Sequence, residues 1–312
     1  MTARTLDGQT LARTMQEEIR PEVAAFTAQH GRPPGLGIVL VGNDPASEVY
    51  VRNKLKAGAD IGFRADLERL PASASLAETI ALVERLNRSE FHDGILVQSP
   101  LPKAMGAGAE QRVFDAIAPE KDVDGLTPVN VGRLVQKRAI LVACTPSGII
   151  ELLDREQIPI AGRHAVVVGR SDIVGKPMAL LLLHRDATVT VCHSRTPDLA
   201  DICRQADILV AAVGKAGLVT SRFIKPGATV VDVGMNKVTD AAVAESLFSE
   251  GHPRLALFRS KGSVLVGDVH PEVADVAGAL TPVPGGVGPL TITMLMRNTL
   301  RAAKARVGQP VG

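Results

Sequence analysis

A chain of 312 residues, 46% hydrophobic and 22% charged, is long enough for about two domains with separate buried cores. Its 35 basic and 33 acidic residues leave a net charge of +2, with no dense lysine and arginine block, which argues against a non-specific nucleic-acid binder. The longest apolar runs, such as MALLLL at 178–183, are far too short to span a bilayer.

In chain order, MTARTLDGQT at the N-terminus has no apolar core of a signal peptide. LGIVLVG (36–42) and DGILVQSP (93–100) read as buried strands. Between them the pattern predicts a helix over 44–61, a strand around 64–70 and an amphipathic stretch near 75–88. After about residue 125 the alternation grows more regular. AVVVG (165–169), TVTVCHS (188–194), DILVAAVG (207–214), ATVVDVG (228–234) and VLVGDV (264–269) are five strand candidates. Apolar runs bounded by Gly, Pro or Asp fit strands covered on both faces, and strands alternating with helices imply parallel α/β sheets. PLTITMLMRNTLRAAKAR (289–306) is helical by period and lies beyond the second sheet, placed to return to the first domain. The cysteines, Cys144, Cys192 and Cys203, show no C-x-x-C spacing. No zinc cage or disulfide is expected, and a reduced, cytoplasmic setting fits.

Residues 47–58, SEVYVRNKLKAG, hold the only tyrosine of the chain. Asp44 suits the N-cap of this helix, Pro45 its first turn and Gly62 its stop. Wound at about 100° per residue, Arg52, Asn53, Lys56 and Asp60 share a polar arc. Val51, Leu55, Ala57, Gly58 and Ile61 lie opposite. Lys54 falls in the apolar arc, beside Tyr50. Either its stem packs while its ammonium reaches water at the rim, or it is a cleft lysine with a lowered pKa, poised for proton transfer. Tyr50 is then either a core aromatic with a wet hydroxyl or a ring that stacks on a flat ligand.

SEVYVRNKLKAG resembles the signature helix of the bifunctional methylenetetrahydrofolate dehydrogenase/methenyltetrahydrofolate cyclohydrolase family. GILVQSPLP (94–102), PEKDVDGLTPVNVGRL (119–134), CTPSGIIELL (144–153), VVVGRSDIVGKPMALLL (166–182), KPGATVVDVGMN (225–236) and TPVPGGVGPLT (281–291) agree with it in the family's order. The resemblance implies two α/β domains with a cleft between them, the second a Rossmann-like doubly wound parallel sheet. Residues 1–125 plus 282–312 would form the folate-binding domain, and 126–281 the NADP-binding domain. It also implies a homodimer and a small-molecule folate substrate; from charge, run length and cysteine spacing, no nucleic-acid, membrane or metal partner is expected.

By the same resemblance, Tyr50, Lys54 and Gln98 are the catalytic group. Tyr50, Gln98, Asp124 and the Pro284, Gly285 and Gly286 loop would contact folate. Asp122 is a rival carboxylate two positions from Asp124. The family usually has Leu where this chain has Ser99, and commonly Met where it has Leu290. GRSDIVG (169–175), after a strand and before a helix, suits a phosphate at a helix N-terminus, although Ser171 replaces the middle glycine of G-x-G-x-x-G. The next strand ends in His193, Ser194 and Arg195 with no acid for a ribose hydroxyl, and Arg170 and Arg195 suit an extra phosphate. NADP is expected over NAD, held by Gly169, Arg170, Ser171, Ser194, Arg195 and the backbone near Met235.

The implied activity is NADP-dependent oxidation of 5,10-methylenetetrahydrofolate to the methenyl form, then hydrolysis to 10-formyltetrahydrofolate. The alternatives are a monofunctional or NAD-preferring dehydrogenase of this folate, a two-domain dehydrogenase of the shikimate or amino-acid type, and a binding protein without turnover.

Overall fold

The computed structural model describes residues 2–311. Its contacts divide the chain into two compact units. One, the lysine unit, comprises Ala12–Cys144 and Thr291–Gly312; the other, the sheet unit, comprises Met1–Leu11 and Thr145–Leu290.

Strand β1 (Arg4–Thr5) belongs to the sheet unit. The lysine unit then contributes β2 (Gly35–Val41), β3 (Arg64–Leu70) and β4 (Gly94–Val97), a parallel sheet in the order β3-β2-β4. All seven residues of β2 are buried, as an apolar run between two neighbours requires. Ile38 is in register with Leu67 on one side and Leu96 on the other. The Pro45–Asp60 helix starts where expected: Asp44 Oδ2 accepts from the Ser47 amide at 2.8 Å, and Pro45 fills the first turn. Leu76–Arg88 is a helix opened by a reciprocal Ser75–Glu78 capping box, with Leu82, Val83 and Leu86 turned inward.

The sheet unit adds β5 (His164–Val168), β6 (Thr188–Cys192), β7 (Ile208–Ala211), β8 (Thr229–Asp232), β9 (Asn236–Val238), β10 (Val264–Val266) and β11 (Ala279–Leu280). Six of its strands make a parallel sheet in the order β1-β11-β8-β7-β5-β6. Side chains alternate between its faces. Val166, Val168, Leu209 and Val230 pack in one core, and Ala165, Val167, Ile208, Val210 and Val231 in the other. Both faces are covered, which makes this a doubly wound sheet.

Two expectations shift. VLVGDV (264–269) does not join the parallel sheet. Only Val264–Val266 is a strand, and it pairs antiparallel with β9 in a separate ribbon. The chain leaves the ribbon at Gly267 because the next two amides, of Asp268 and Val269, donate to the Asp232 carboxylate. The packing also divides the chain elsewhere than at 125/126 and 281/282. Residues 1–11 go with the sheet unit because β1 pairs with β11. Residues 126–144 stay with the lysine unit, tied to Asp122 through the Leu126 and Thr127 amides and the Asn130 side chain. The last helix, Val287–Arg306, lies in the lysine unit from Thr291 onward.

Candidate active site

Lys54 and Tyr50 are one turn apart on the Pro45–Asp60 helix and so share a face. Tyr50 is 37% exposed, and the burial of the rest of its ring pushes the phenol pKa up. Lys54 does not reach for the rim. Its Nζ donates to Gln98 Oε1 at 2.9 Å. Gln98 directly follows β4 and is 9% exposed. Its backbone amide donates to the Val39 carbonyl at 2.9 Å, and its Nε2 donates to the Ser99 carbonyl at 2.6 Å. With Nε2 committed, Oε1 is left facing the amine. Ser99 is accommodated by a polar contact: its hydroxyl donates to Glu110 Oε1 at 2.6 Å, and the same oxygen accepts from the Leu101 amide at 2.9 Å.

Burial lowers the Lys54 pKa, opposed first by the charge of Asp124. Burial raises the Asp124 pKa, opposed first by the charge of Lys54. The two groups therefore favour each other's charged forms while desolvation works against both. Cys144, fully enclosed beside Asp124, has its thiol pushed well above its usual range by the same burial. The rival carboxylate is fully engaged elsewhere. Asp122, 1% exposed, accepts from the Leu126 amide at 3.1 Å, the Thr127 amide at 2.8 Å and Asn130 Nδ2 at 2.9 Å.

Sequence reasoning missed the support under Asp124. Asn298, buried on the last helix, donates through Nδ2 to the carbonyls of Val123 and Val142, each at 2.8 Å. The Cys144 thiol donates to the Val123 carbonyl at 3.3 Å. These bonds fix the backbone immediately before Asp124. No spacing joins positions 123, 144 and 298; CTPSG marked the Cys144 segment, and nothing marked Asn298.

The cofactor candidates gather on the sheet unit, at the carboxyl ends of parallel strands, where open α/β sheets bind dinucleotides. Gly169 directly follows β5 with φ +131, and a Cβ there would lie 2.2 Å from the Ala212 carbonyl oxygen. A glycine is therefore needed for this tight turn. Ser171 Oγ accepts from the amides of Val174 and Gly175 at 3.2 and 3.3 Å, at the start of the Gly175–His184 helix. Arg170, Ser171, Ser194 and Arg195 are all exposed, and neither guanidinium is engaged in an ion pair among the described residues. Two uncommitted guanidinium groups beside a glycine turn fit a phosphate-bearing dinucleotide. Met235, 39% exposed, lies between β8 and β9. The Pro284, Gly285 and Gly286 loop is in the sheet unit too. The Gly285 carbonyl accepts from the Gln9 amide at 2.8 Å, and Gly286 packs directly on the backbone of Gly8.

A doubly wound sheet with a glycine turn, joined in one chain to a second parallel α/β unit holding a half-buried lysine and carboxylate, defines a two-domain dinucleotide-binding protein. Residues 6–124 match the tetrahydrofolate dehydrogenase/cyclohydrolase catalytic domain, and residues 143–307 match the NAD(P)-binding domain of the same family. The chain belongs to this family. It is 54% identical to the bifunctional protein FolD of Koribacter versatilis over 311 residues, covering 100% of both chains. It is 54% identical to that of Solibacter usitatus, covering 98% of this chain and 99% of the other. Among solved structures it is similar to the Trypanosoma brucei methylenetetrahydrofolate dehydrogenase-cyclohydrolase, described as complexed with NADP cofactor and inhibitor. That match has a TM-score of 0.87 at 42% identity and covers 98% of this chain and 99% of the other.

Proposed function

We propose that this chain oxidises 5,10-methylenetetrahydrofolate to 5,10-methenyltetrahydrofolate with NADP, and then hydrolyses that product to 10-formyltetrahydrofolate. The observation that carries the reading is the half-buried Lys54 amine held by Gln98, its charge coupled to that of the half-buried Asp124 carboxylate. When bound, NADP supplies the acceptor for the hydride that leaves the methylene carbon. The chain's part in that step is to position the folate; no proton is lost. Asp124 suits the adjacent N–H donors of the pterin's aminopyrimidine edge, a paired contact that strengthens when desolvated. Tyr50 stacks on the flat ring.

Hydrolysis needs a proton carrier. Water adds to the methenyl carbon and gives up one proton to a neutral Lys54; the C–N bond then breaks, the ring nitrogen takes that proton back from Lys54, and the remaining O–H proton leaves to solvent as the formyl carbonyl closes. The neutral amine also adds no like charge beside a cationic substrate. Gln98 orients the amine. Gly169, Arg170, Ser171, Ser194, Arg195 and the backbone at Met235 hold the cofactor, and the two arginines favour a ribose phosphate.

The chain works as a homodimer in the cytoplasm. Strand β6 ends the sheet with Val191 exposed, and Leu183 on the preceding helix is 56% exposed, an apolar edge suited to a second copy. All three cysteines are free and buried, and no described helix is long and apolar enough to cross a membrane. Light scattering of the purified chain tests the dimer; a monomer at micromolar concentration rejects it.

The deciding assay supplies methylenetetrahydrofolate with each nicotinamide cofactor and follows cofactor reduction and ring opening separately. Both signals, with NADP preferred, are expected. Reduction without ring opening, or no folate turnover, refutes the proposal.

A further inference from the structure

The sheet reverses its strand order at β5: the chain goes to β6 on one side and then crosses to β7 and β8 on the other. In such sheets the two halves of a dinucleotide fall on either side of this switch point. The β6 side carries Ser194 and Arg195, so the β7 and β8 side is left for the nicotinamide half.

That side is organised by two buried carboxylates. Asp268, fully buried, accepts through Oδ2 from the amides of Val213 at 2.6 Å and Gly214 at 2.9 Å. Its Oδ1 accepts from the Lys215 amide at 2.8 Å and from Asn236 Nδ2 at 2.9 Å. Asp232, 4% exposed, accepts through Oδ1 from the amides of Gly234 and Asp268, both at 2.9 Å, and through Oδ2 from Val269 at 3.0 Å. The Asp232 amide donates to Thr281 Oγ1 at 2.7 Å, where the Pro284, Gly285 and Gly286 loop begins. The packing leaves no room for side chains. A Cβ on Gly267 would lie 1.6 Å from Asp232 Oδ2, and one on Gly234 would lie 2.3 Å from the Asp268 amide nitrogen.

Two carboxylates buried side by side are costly without a cation. Burial pushes Asp232 up to about 7 against the pull of three amides, and the adjacent Asp268 charge adds to the rise. Here the acids fix three successive amides after β7 and the turn carrying Met235, all at the carboxyl ends of the strands. We infer that Asp268, braced by Asp232 and Asn236, is a positioning residue that shapes the Val213–Lys215 and Gly234–Asn236 loops as the bed for the nicotinamide half of the cofactor. This rests on the NADP reading above.

The test compares binding of whole NADP with binding of adenosine 2′,5′-bisphosphate, which lacks the nicotinamide half. Isothermal titration of the full chain is run on the wild type, Asp268→Asn and Asn236→Ala. Asp268→Asn is expected to weaken NADP by about tenfold or more, one step of ~1.4 kcal/mol, and to leave the bisphosphate within about twofold. Asn236→Ala removes one of the four bonds to Asp268 and is expected to show a smaller loss in the same sense. It is read alone if Asp268→Asn does not fold. Parallel weakening of both ligands means a general loss of structure and overturns the inference, as does unchanged NADP affinity. A wild type that binds neither ligand refutes the NADP reading itself, and is told apart from the other outcomes because it precedes any mutation.

Discussion

Lys54 Nζ donates to Gln98 Oε1 at 2.9 Å, and Gln98 is itself held by its own bond to the Ser99 carbonyl. A side chain that burial has pushed toward the neutral amine is thus kept in one orientation by a neutral partner. Proton transfer by a positioned group contributes roughly 10²- to 10⁴-fold. Lys54→Met is expected to lower cyclohydrolase turnover by that order while NADP affinity, which resides in the other unit, stays near wild type. In the wild type, turnover is expected to rise with pH and level off below the ordinary lysine value of 10.5, because the base is the neutral amine. Undiminished formyltetrahydrofolate production by Lys54→Met would remove this lysine from the chemistry.

Asp124 carries the second prediction. Its backbone is set by the Asn298 and Cys144 bonds to the Val123 carbonyl, and its charge is favoured by Lys54. Asp124→Asn keeps the shape but replaces one acceptor oxygen with a donor that faces the pterin's own donors. Hydrogen bonds to a charged group contribute about 1.5–3 kcal/mol. The folate KM of both reactions is expected to rise about 10- to 100-fold. Steady-state kinetics at saturating NADP measure it; an unchanged KM would show that the pterin edge is recognised elsewhere.

The elements with a long periodic pattern were legible. The Pro45–Asp60 helix and the buried runs of β2, β5 and β8 follow from apolar spacing, capping and turn residues in a short window. Strands β1 and β11 were not, because two residues carry no period and their pairing joins positions 4 and 279. The inward lean of Lys54 was legible as a lysine on an apolar arc, but its partner was not: Gln98 lies 44 positions away, and only the fold brings β4 beside that helix. Asp122 and Asp124 could not be separated by pattern. They separate in space, since Asp122 uses its oxygens on the Thr127 turn. VLVGDV was misplaced because its apolar composition suits a strand, while the Asp232 carboxylate, which draws its last two amides away, is distant in sequence.

Arg195 tests the cofactor preference. Its guanidinium is exposed just after β6, and among the described residues it has no ion pair to give up on binding. Arg195→Asp replaces attraction for a ribose phosphate with repulsion and offers an acceptor to a ribose hydroxyl. The ratio of kcat/KM for NADP over NAD is expected to fall about 10- to 100-fold, the equivalent of ~1.5–3 kcal/mol. Parallel initial-rate series with the two cofactors give the ratio, and a constant ratio would place the phosphate away from this arginine.

Lys121 governs a pH dependence of stability. It is 4% exposed, and its Nζ donates to the carbonyls of Leu86 at 3.1 Å and Ser89 at 2.7 Å, at the end of the Leu76–Arg88 helix. A neutral amine has two N–H groups, enough for both carbonyls, whereas the third proton of an ammonium finds no acceptor among the described residues. Burial, with Arg306 adding to it, lowers the Lys121 pKa to about 8 from 10.5. Between those values the unfolded chain binds the proton and the folded chain does not, so the stability contribution is fully present above 10.5 and is lost as pH falls through about 8. The difference amounts to at most about 3 kcal/mol. Lys121→Met takes the amine from the Ser89 carbonyl, while the Leu86 carbonyl keeps the Ser89 amide at 3.1 Å, and is expected to be less stable at every pH. The gap between it and the wild type should widen as pH rises from 8 toward 10.5. Urea unfolding at a series of pH values measures the gap, and a gap that stays constant across that window would mean the amine is charged in both states.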